Sequence, residues 1–332
     1  FSKIVGTKFC VAVNDLTSAL IIALYLVGVK ANDEVAIPSF NCLQSTSAID
    51  LLGAKPLWID IDPNNMSMST DDLNQKINKD VKAVITYHIA GYPSEIKSIS
   101  TLCKENKIPL IEDCNNAFGS EINGQPVGTF GEISVYSLYP NRQLNGVEGG
   151  LICTSNPEKA LFAKRMRRFG IDQKSFRDKN GEIDPKSDIK EIGWSASINN
   201  LNAALAFSQL PSLFERQKIT RNNANAIYEN FPSNKYMYPV KPINNSIPSY
   251  WVFLILSDKR NDLLIYLKKN GISSSCLHTR NDQYSAFGKY KNKLIGTEIV
   301  MEKLLAIPCG WWLNEIQIER ILKVLNNFCK KS

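Results

Sequence analysis

Residues 137–150 read Ser-Leu-Tyr-Pro-Asn-Arg-Gln-Leu-Asn-Gly-Val-Glu-Gly-Gly. They form a polar excursion between two apolar, strand-like runs at 133–136 and 151–154. Polar loops between buried strands are where open α/β proteins place ligand chemistry, and the flanking chain carries matching signals. Upstream, Asn14 and Asp15 can cap a helix whose apolar positions are Leu16, Leu20, Ile21 and Leu24 and which ends at Gly28. Strand-like runs follow at 34–37, 56–61, 81–87 and 108–111, with a helical stretch at 95–106. This alternation predicts an α/β fold with a mainly parallel sheet covered by helices on both faces.

Downstream, 156–169 reads as helix and 171–191, rich in Lys, Asp and Gly, as a mobile surface loop. Helical stretches at 201–210 and 213–231 end at Pro232-Ser233 and the proline-bounded segment 239–248. A smaller unit follows, with a strand at 250–256, a helix at 261–269, a loop at 273–287 and a last helix from Asn314. The expected division is a large domain over 1–230 and a small C-terminal α/β domain over 231–332.

The 332 residues are 44% hydrophobic and 21% charged, with a formal charge of +7. This is an ordinary globular composition, with length enough for a large core without disulfides or metals. The densest basic cluster, Lys164, Arg165, Arg167 and Arg168, reads as a solvated helix face, and the bias is below that of nucleic-acid binders. No apolar run is long enough to span a membrane, and the opening Phe-Ser-Lys-Ile-Val-Gly-Thr lacks the sections of a signal peptide. Eight cysteines without a Cys-x-x-Cys spacing fit free thiols in a reducing cytosol. A cytoplasmic protein with neither nucleic acid nor membrane as partner is expected. The two histidines, His88 and His278, form no recognisable metal constellation with the cysteines, so no metal is expected either.

The central stretch resembles the lysine loop of the DegT/DnrJ/EryC1/StrS family, the pyridoxal-phosphate (PLP) aminotransferases of nucleotide-sugar metabolism. Its pattern there is Ser-Phe-x-x-x-Lys-x-Leu/Ile-x-x-Gly-Glu/Asp-Gly-Gly, and Arg142 stands at the Lys position. The resemblance extends along the chain: Gly-Thr-Lys-Phe-Cys-Val-Ala-Val at 6–13, Asp33-Glu34-Val35 with Pro38, Gly53-Ala54-Lys55-Pro56 with Asp60 and Asp62, Glu112-Asp113, and His278-x-Arg280-Asn281-Asp282. It implies a PLP-dependent aminotransferase type I-like fold and a homodimer, with 193–202 resembling the family's subunit-crossing segment. Members usually begin with a further helical segment, so N-terminal trimming is expected.

The resemblance places Asp113 at the pyridinium contact, Ser137 and Thr17 at phosphate contacts, Asn116 at the 3-hydroxyl contact and Arg142 at the Schiff-base position. Four departures accompany Arg142. The family's Ser-Gly-Thr cradle is Asp15-Leu16-Thr17, its Gln or His is Asn116, its subunit-crossing Asn is Ser195, and its stacking aromatic is Cys42. A guanidinium forms no Schiff base and is no base at neutral pH, so the expected cofactor is none, with PLP the alternative. His88 and Asp113 follow or end strands at the carboxyl edge of the sheet, where the crevice of such a fold lies, and are the candidate catalytic residues. Cys42 and Cys114 lie near the same edge, and Arg142 is expected to pair with Asp113.

The expected function is that of a sugar-aminotransferase homologue in nucleotide-sugar or surface-polysaccharide biosynthesis that has lost transamination and acts on an amino-sugar nucleotide, with N-acyl transfer as the leading chemistry. Two alternatives stay open: a PLP-dependent aminotransferase with an engineered Arg142, and a non-catalytic partner of an active paralogue. The expected ligand in each is a nucleotide-linked sugar.

Overall fold

The computed structural model describes residues 1–288 and 292–331. Its strands in chain order are β1 (Phe9–Val13), β2 (Glu34–Pro38), β3 (Lys55–Ile59), β4 (Val81–Tyr87), β5 (Leu110–Asp113), β6 (Glu121–Ile122), β7 (Gln125–Pro126), β8 (Ile133–Ser137), β9 (Gly150–Thr154), β10 (Met237–Pro239), β11 (Ser246–Ile247), β12 (Phe253–Ser257) and β13 (Leu304–Ile307). Seven of them form the central sheet in the order β1-β9-β8-β5-β4-β2-β3. Strands β3, β2, β4, β5 and β8 run parallel, and only β9 opposes its neighbours β8 and β1. The middle strands β5, β8 and β9 are buried at every residue. That is the burial of a sheet covered on both faces, and it explains why Leu110, Ile111, Ile133, Val135, Leu151 and Ile152 all lie in the core. The predicted α/β architecture is the one observed.

Helix Leu16–Leu26 begins where the sequence places it, with the Asp15 carboxylate accepting from the Ser18 backbone N–H. Among the helices that go unread in the sequence are Leu43–Leu51, Thr70–Lys76 and Ile295–Lys303. The first is the most instructive. It leaves Leu43 and Leu51 exposed and buries Ser45, Thr46, Ala48 and Ile49. Its inner face is part hydroxyl because it looks onto polar groups, so the usual apolar stripe is missing. Residues 171–191 hold no helix or extended strand, only an isolated bridge between Arg177 and Ile183.

The C-terminal unit is built on β12, paired antiparallel with β10 and β13, with helices Arg260–Lys269 and Glu315–Lys331. Its apolar core also takes in Ala224 and Ile227 from the end of helix Leu210–Glu229, and Asn223 Nδ2 donates to the carbonyls of Gly310 and Leu313. The last turns of that helix therefore pack into the core of the C-terminal unit. Phe40, Tyr87, Ile89 and Tyr92 join the same core from the first unit. The junction is tight: Ser249 and Trp251 donate backbone N–H groups to the carbonyls of Gly91 and Ala90. Gly91 has φ +83°, and a Cβ there would lie 2.6 Å from Ser249 Oγ. Glycine is what lets the turn after β4 dock and place Trp251 over the central loop. Among the described residues no helix is long and apolar enough to cross a membrane.

Candidate functional site

Strands β4 and β5 end at Tyr87 and Asp113, and the loop after β8 carries Arg142. Asp113 is fully buried. Its carboxylate accepts from Ser45 Oγ and, at 3.0 and 2.9 Å, from the backbone N–H and side-chain amide of Asn115. Burial raises its pKa, while these donors and the Arg142 charge pull it back. The expected Arg142–Asp113 pair is not formed. Arg142 Nη1 donates instead to Asn141 Oδ1 at 2.6 Å, and its guanidinium lies 5.0 Å from the Trp251 ring centre and 6.0 Å from that of Tyr139. Trp251 is held in turn by its Nε1–H on the Asn141 carbonyl, at 2.5 Å.

His88 is placed away from this group. Successive residues of a strand point to opposite faces, so Glu112 turns away from the side that Asp113 occupies, and His88 goes with Glu112. His88 Nε2 lies 3.1 Å from Glu112 Oε2, and Nδ1 accepts from the Ser94 backbone N–H at 3.1 Å. The Ser94 bond leaves the ring proton on Nε2, which donates to Glu112. Glu112 also accepts the backbone N–H groups of Gly128, Phe130 and Gly131. Those four donors fill the lone pairs of the carboxylate. His88, Glu112 and Cys114 lie close enough together to suggest a metal cluster, but their hydrogen bonds already use the ligand atoms of His88 and Glu112. The cluster is architectural. The expectation that His88 serves as a base at the crevice is thereby corrected, and Cys114, fully buried near Glu112 and Tyr136, offers no nucleophile there.

The histidine on the Asp113 side is His278. Asn116 Nδ2 donates to Tyr87 Oη at 2.9 Å, and Tyr87 Oη lies 3.1 Å from His278 Nε2. The phenol accepts from Asn116 and shares one hydrogen bond with His278 Nε2, which fixes the imidazole in place. Burial and the Arg142 charge push His278 down to about 4, so it is neutral at pH 7. The stretch after it explains its position. Arg280 is buried and bidentate to Asp282, Asp282 accepts from Ser39 Oγ, and Asn281 donates to Asn41 Oδ1 and Thr46 Oγ1. This network ties 280–282 to the end of β2 and to helix Leu43–Leu51. His278 was legible only as part of the His-x-Arg-Asn-Asp stretch.

The groups the resemblance assigns to PLP do not fit that cofactor as they stand. Arg142 has no primary amine to attach it. At the cradle position, the Asp15 carboxylate already caps its own helix, accepting from Ser18 N at 2.7 Å and Ser18 Oγ at 3.1 Å. A phosphate beside it would meet a like charge. Leu16 is buried in the core, and Thr17 follows it in the first turn. Ser137 Oγ accepts from the Tyr139 backbone N–H at 3.2 Å, and Asn116 uses its amide N–H on Tyr87. Burial pushes the Cys42 thiol up, the neighbouring Arg142 pulling the other way. Ser195 is exposed and bridges to Arg168.

Beyond Arg142 a cavity of about 580 Å³ opens between the central loop and the C-terminal unit. Arg142, Gln143, Arg216, Trp251, Ser275 and Trp311 are among its walls, and among the described residues no Asp or Glu lines it. Arg216, from helix Leu210–Glu229, sits 4.4 Å from the Trp311 ring centre. Nothing in the sequence singles Arg216 out, because it follows an ordinary amphipathic stretch some seventy residues from the central loop.

Several known proteins are similar to this chain. A GDP-perosamine synthase of Vibrio cholerae is 31% identical over 281 residues, which is 82% of this chain and 73% of the relative. The sugar aminotransferase CalS13 from Micromonospora echinospora superposes with a TM-score of 0.92 at 25% identity, covering 98% of this chain and 89% of its own. AtS13 from Actinomadura melliaura gives a TM-score of 0.92 at 26% identity, covering 98% and 88%. The DegT/DnrJ/EryC1/StrS aminotransferase family model matches residues 1–326, and the chain belongs to that family.

Proposed function

We propose that this protein binds a nucleotide-linked sugar in nucleotide-sugar or surface-polysaccharide biosynthesis and works without a Schiff-base cofactor. The observation that carries this reading is Arg142, which stands at the lysine position with its guanidinium over Trp251, at the wall of a cavity that no Asp or Glu lines among the described residues. A guanidinium stays charged at neutral pH and forms no Schiff base, so it serves anion binding and not amine transfer. The name of the Vibrio cholerae relative supports a sugar nucleotide as the ligand class. Acyl transfer has little support, because His88 is engaged with Glu112 and His278 Nε2 with Tyr87 Oη. We further propose a cytoplasmic homodimer. Val147 on the central loop and Leu201, Leu205 and Phe207 beside it are exposed apolar residues, the composition of a subunit contact.

Two measurements test the reading. Adding PLP, reducing with borohydride and weighing the intact protein should give no adduct on the peptide carrying Arg142. Calorimetry with a panel of nucleotide sugars should give saturable binding to at least one. A covalent PLP adduct that forms stoichiometrically, or failure of every nucleotide sugar to bind, would overturn it.

A further inference from the structure

We infer that Cys10 and Cys153 form a reversible thiol-oxidation site, at which a peroxide joins the two sulfurs as a disulfide and latches strand β1 to β9. The inference is independent of the ligand reading above. The two residues are direct partners in the antiparallel register of β1 and β9, and their Sγ atoms lie 3.2 Å apart. Directly opposed residues of antiparallel strands have Cα atoms about 4.5–5.5 Å apart, within the roughly 4.4–6.8 Å that a disulfide spans. Closing the bond therefore takes about 1 Å of sulfur movement and leaves the register intact.

The pair is set apart from the other cysteines. Cys103 and Cys114 are buried in the core, while Cys42, Cys276, Cys309 and Cys329 contact Gln44, Arg260, the Tyr250 carbonyl and the Pro232 carbonyl. Cys10 is half-buried and Cys153 fully buried, so the oxidant meets Cys10 first. One peroxide oxygen bonds to the Cys10 sulfur as the O–O bond breaks, and the other leaves as water with the thiol proton. The Cys153 sulfur then attacks the sulfenic sulfur and breaks its S–O bond, and the hydroxyl leaves as a second water with the Cys153 proton. Two thiols are thus oxidised to one disulfide as one peroxide is reduced to two waters. Burial pushes the Cys153 thiol up, which keeps it protonated and inert until the sulfenic acid stands beside it. In a reducing compartment the bond forms only under oxidant and is undone by thiol exchange.

The bond acts on an edge. Among the described strands β1 ends the central sheet and pairs with β9 alone. It runs on into Asp15, and β9 starts at Gly150, where a Cβ would lie 2.3 Å from the Asp15 carbonyl oxygen. An edge strand with one partner opens locally at low cost, and the disulfide forbids that opening. Because the two cysteines are 143 positions apart, it also closes a long loop in the unfolded chain.

The test treats the full chain with hydrogen peroxide, then unfolds it in N-ethylmaleimide and weighs it. Two of the eight thiols should escape alkylation, dithiothreitol should restore both, and peptide mapping should find Cys10 joined to Cys153. The oxidised protein should melt about 5 °C or more higher, and amide exchange over 9–13 should slow by roughly tenfold or more. Cys10→Ser should abolish the loss of thiols. Cys153→Ser should stop at a Cys10 sulfenic acid that dimedone labels. Should that buried substitution fail to fold in a thermal melt, Cys10→Ser at its half-buried position decides alone. All eight thiols still reactive after peroxide, a bond from Cys153 to Cys114, or thiol loss unchanged in Cys10→Ser would overturn the site. A Cys10–Cys153 bond that leaves the melt and the exchange of β1 unchanged would overturn the latch.

Discussion

The Asp113 carboxylate and the Arg142 guanidinium act on each other through space without touching. Asp113 is held by Ser45 and Asn115, and Arg142 lies over Trp251 with its Nη1 on Asn141. Arg142 is therefore not locked in a buried ion pair, and its replacement leaves no buried charge uncompensated. The Arg142→Lys variant should fold with unchanged stability within about 0.5 kcal/mol.

The same variant should still fail to take up PLP, because the helix N-terminus remains capped by Asp15 and blocked at Leu16. Restoring a borohydride-fixable adduct should require Asp15→Ser and Leu16→Gly as well as Arg142→Lys. Mass spectrometry of the single and triple variants checks this. A stoichiometric adduct on Arg142→Lys alone would show that the phosphate cradle is still functional.

His278 should titrate far below an ordinary histidine, near the value of about 4 set by burial and the Arg142 charge. With only two histidines in the chain, His88→Gln isolates its imidazole resonance for NMR. Arg142→Gln removes a repelling charge and should move the titration upward. The sign for stability follows from linkage. The unfolded chain takes up a proton near pH 6.5 and the folded chain only near 4, so His278 lowers stability as pH falls from 6.5 to 4. A His278 resonance titrating between pH 6 and 7 would contradict this.

How much of this was legible follows from where the sequence pattern is regular. Strands β4, β5 and β8 each carry buried apolar residues of the core, and Asp15 is a plain helix cap, so these strands and helix Leu16–Leu26 could be read directly. Helix Leu43–Leu51 could not, because the face it buries carries Ser45 and Thr46. The roles of Glu112 and Asp113 could be inverted on paper because the two are adjacent. Only the strand register sends one toward Gly128 and His88 and the other toward Ser45 and the central loop. Arg216 and Trp311 meet across ninety-five positions of sequence, a contact no local pattern encodes.

The Glu112 side should prove structural. Glu112→Ala leaves His88 and the backbone N–H groups of Gly128, Phe130 and Gly131 without their acceptor. The expected loss is at least about 3 kcal/mol, read as a lower denaturant midpoint. His88→Gln should cost less, about 1–2 kcal/mol, and should leave nucleotide-sugar affinity of the folded protein within a factor of about two. A large affinity loss in His88→Gln with stability intact would return His88 to the site.

The exposed apolar face beside the central loop gives the last prediction. Leu201 is 83% exposed and one helical turn from Leu205. The helix carrying both is tied to the loop of Arg142 by Asn202 Nδ2 on the Glu148 carbonyl, next to the exposed Val147. In a lone chain, placing aspartates at Leu201 and Leu205 meets only water and should change stability little. Across a subunit contact the same substitutions bury unpaired charge, at a cost of several kcal/mol. The variant Leu201→Asp/Leu205→Asp should therefore sediment as a monomer at concentrations where the parent is a dimer, while still melting cooperatively as a folded chain. Because the loop holding Arg142 leans on this helix, the monomer should also bind nucleotide sugars more weakly. A parent protein that is itself monomeric at micromolar concentration, or a double aspartate variant that stays dimeric, would remove this face from the interface.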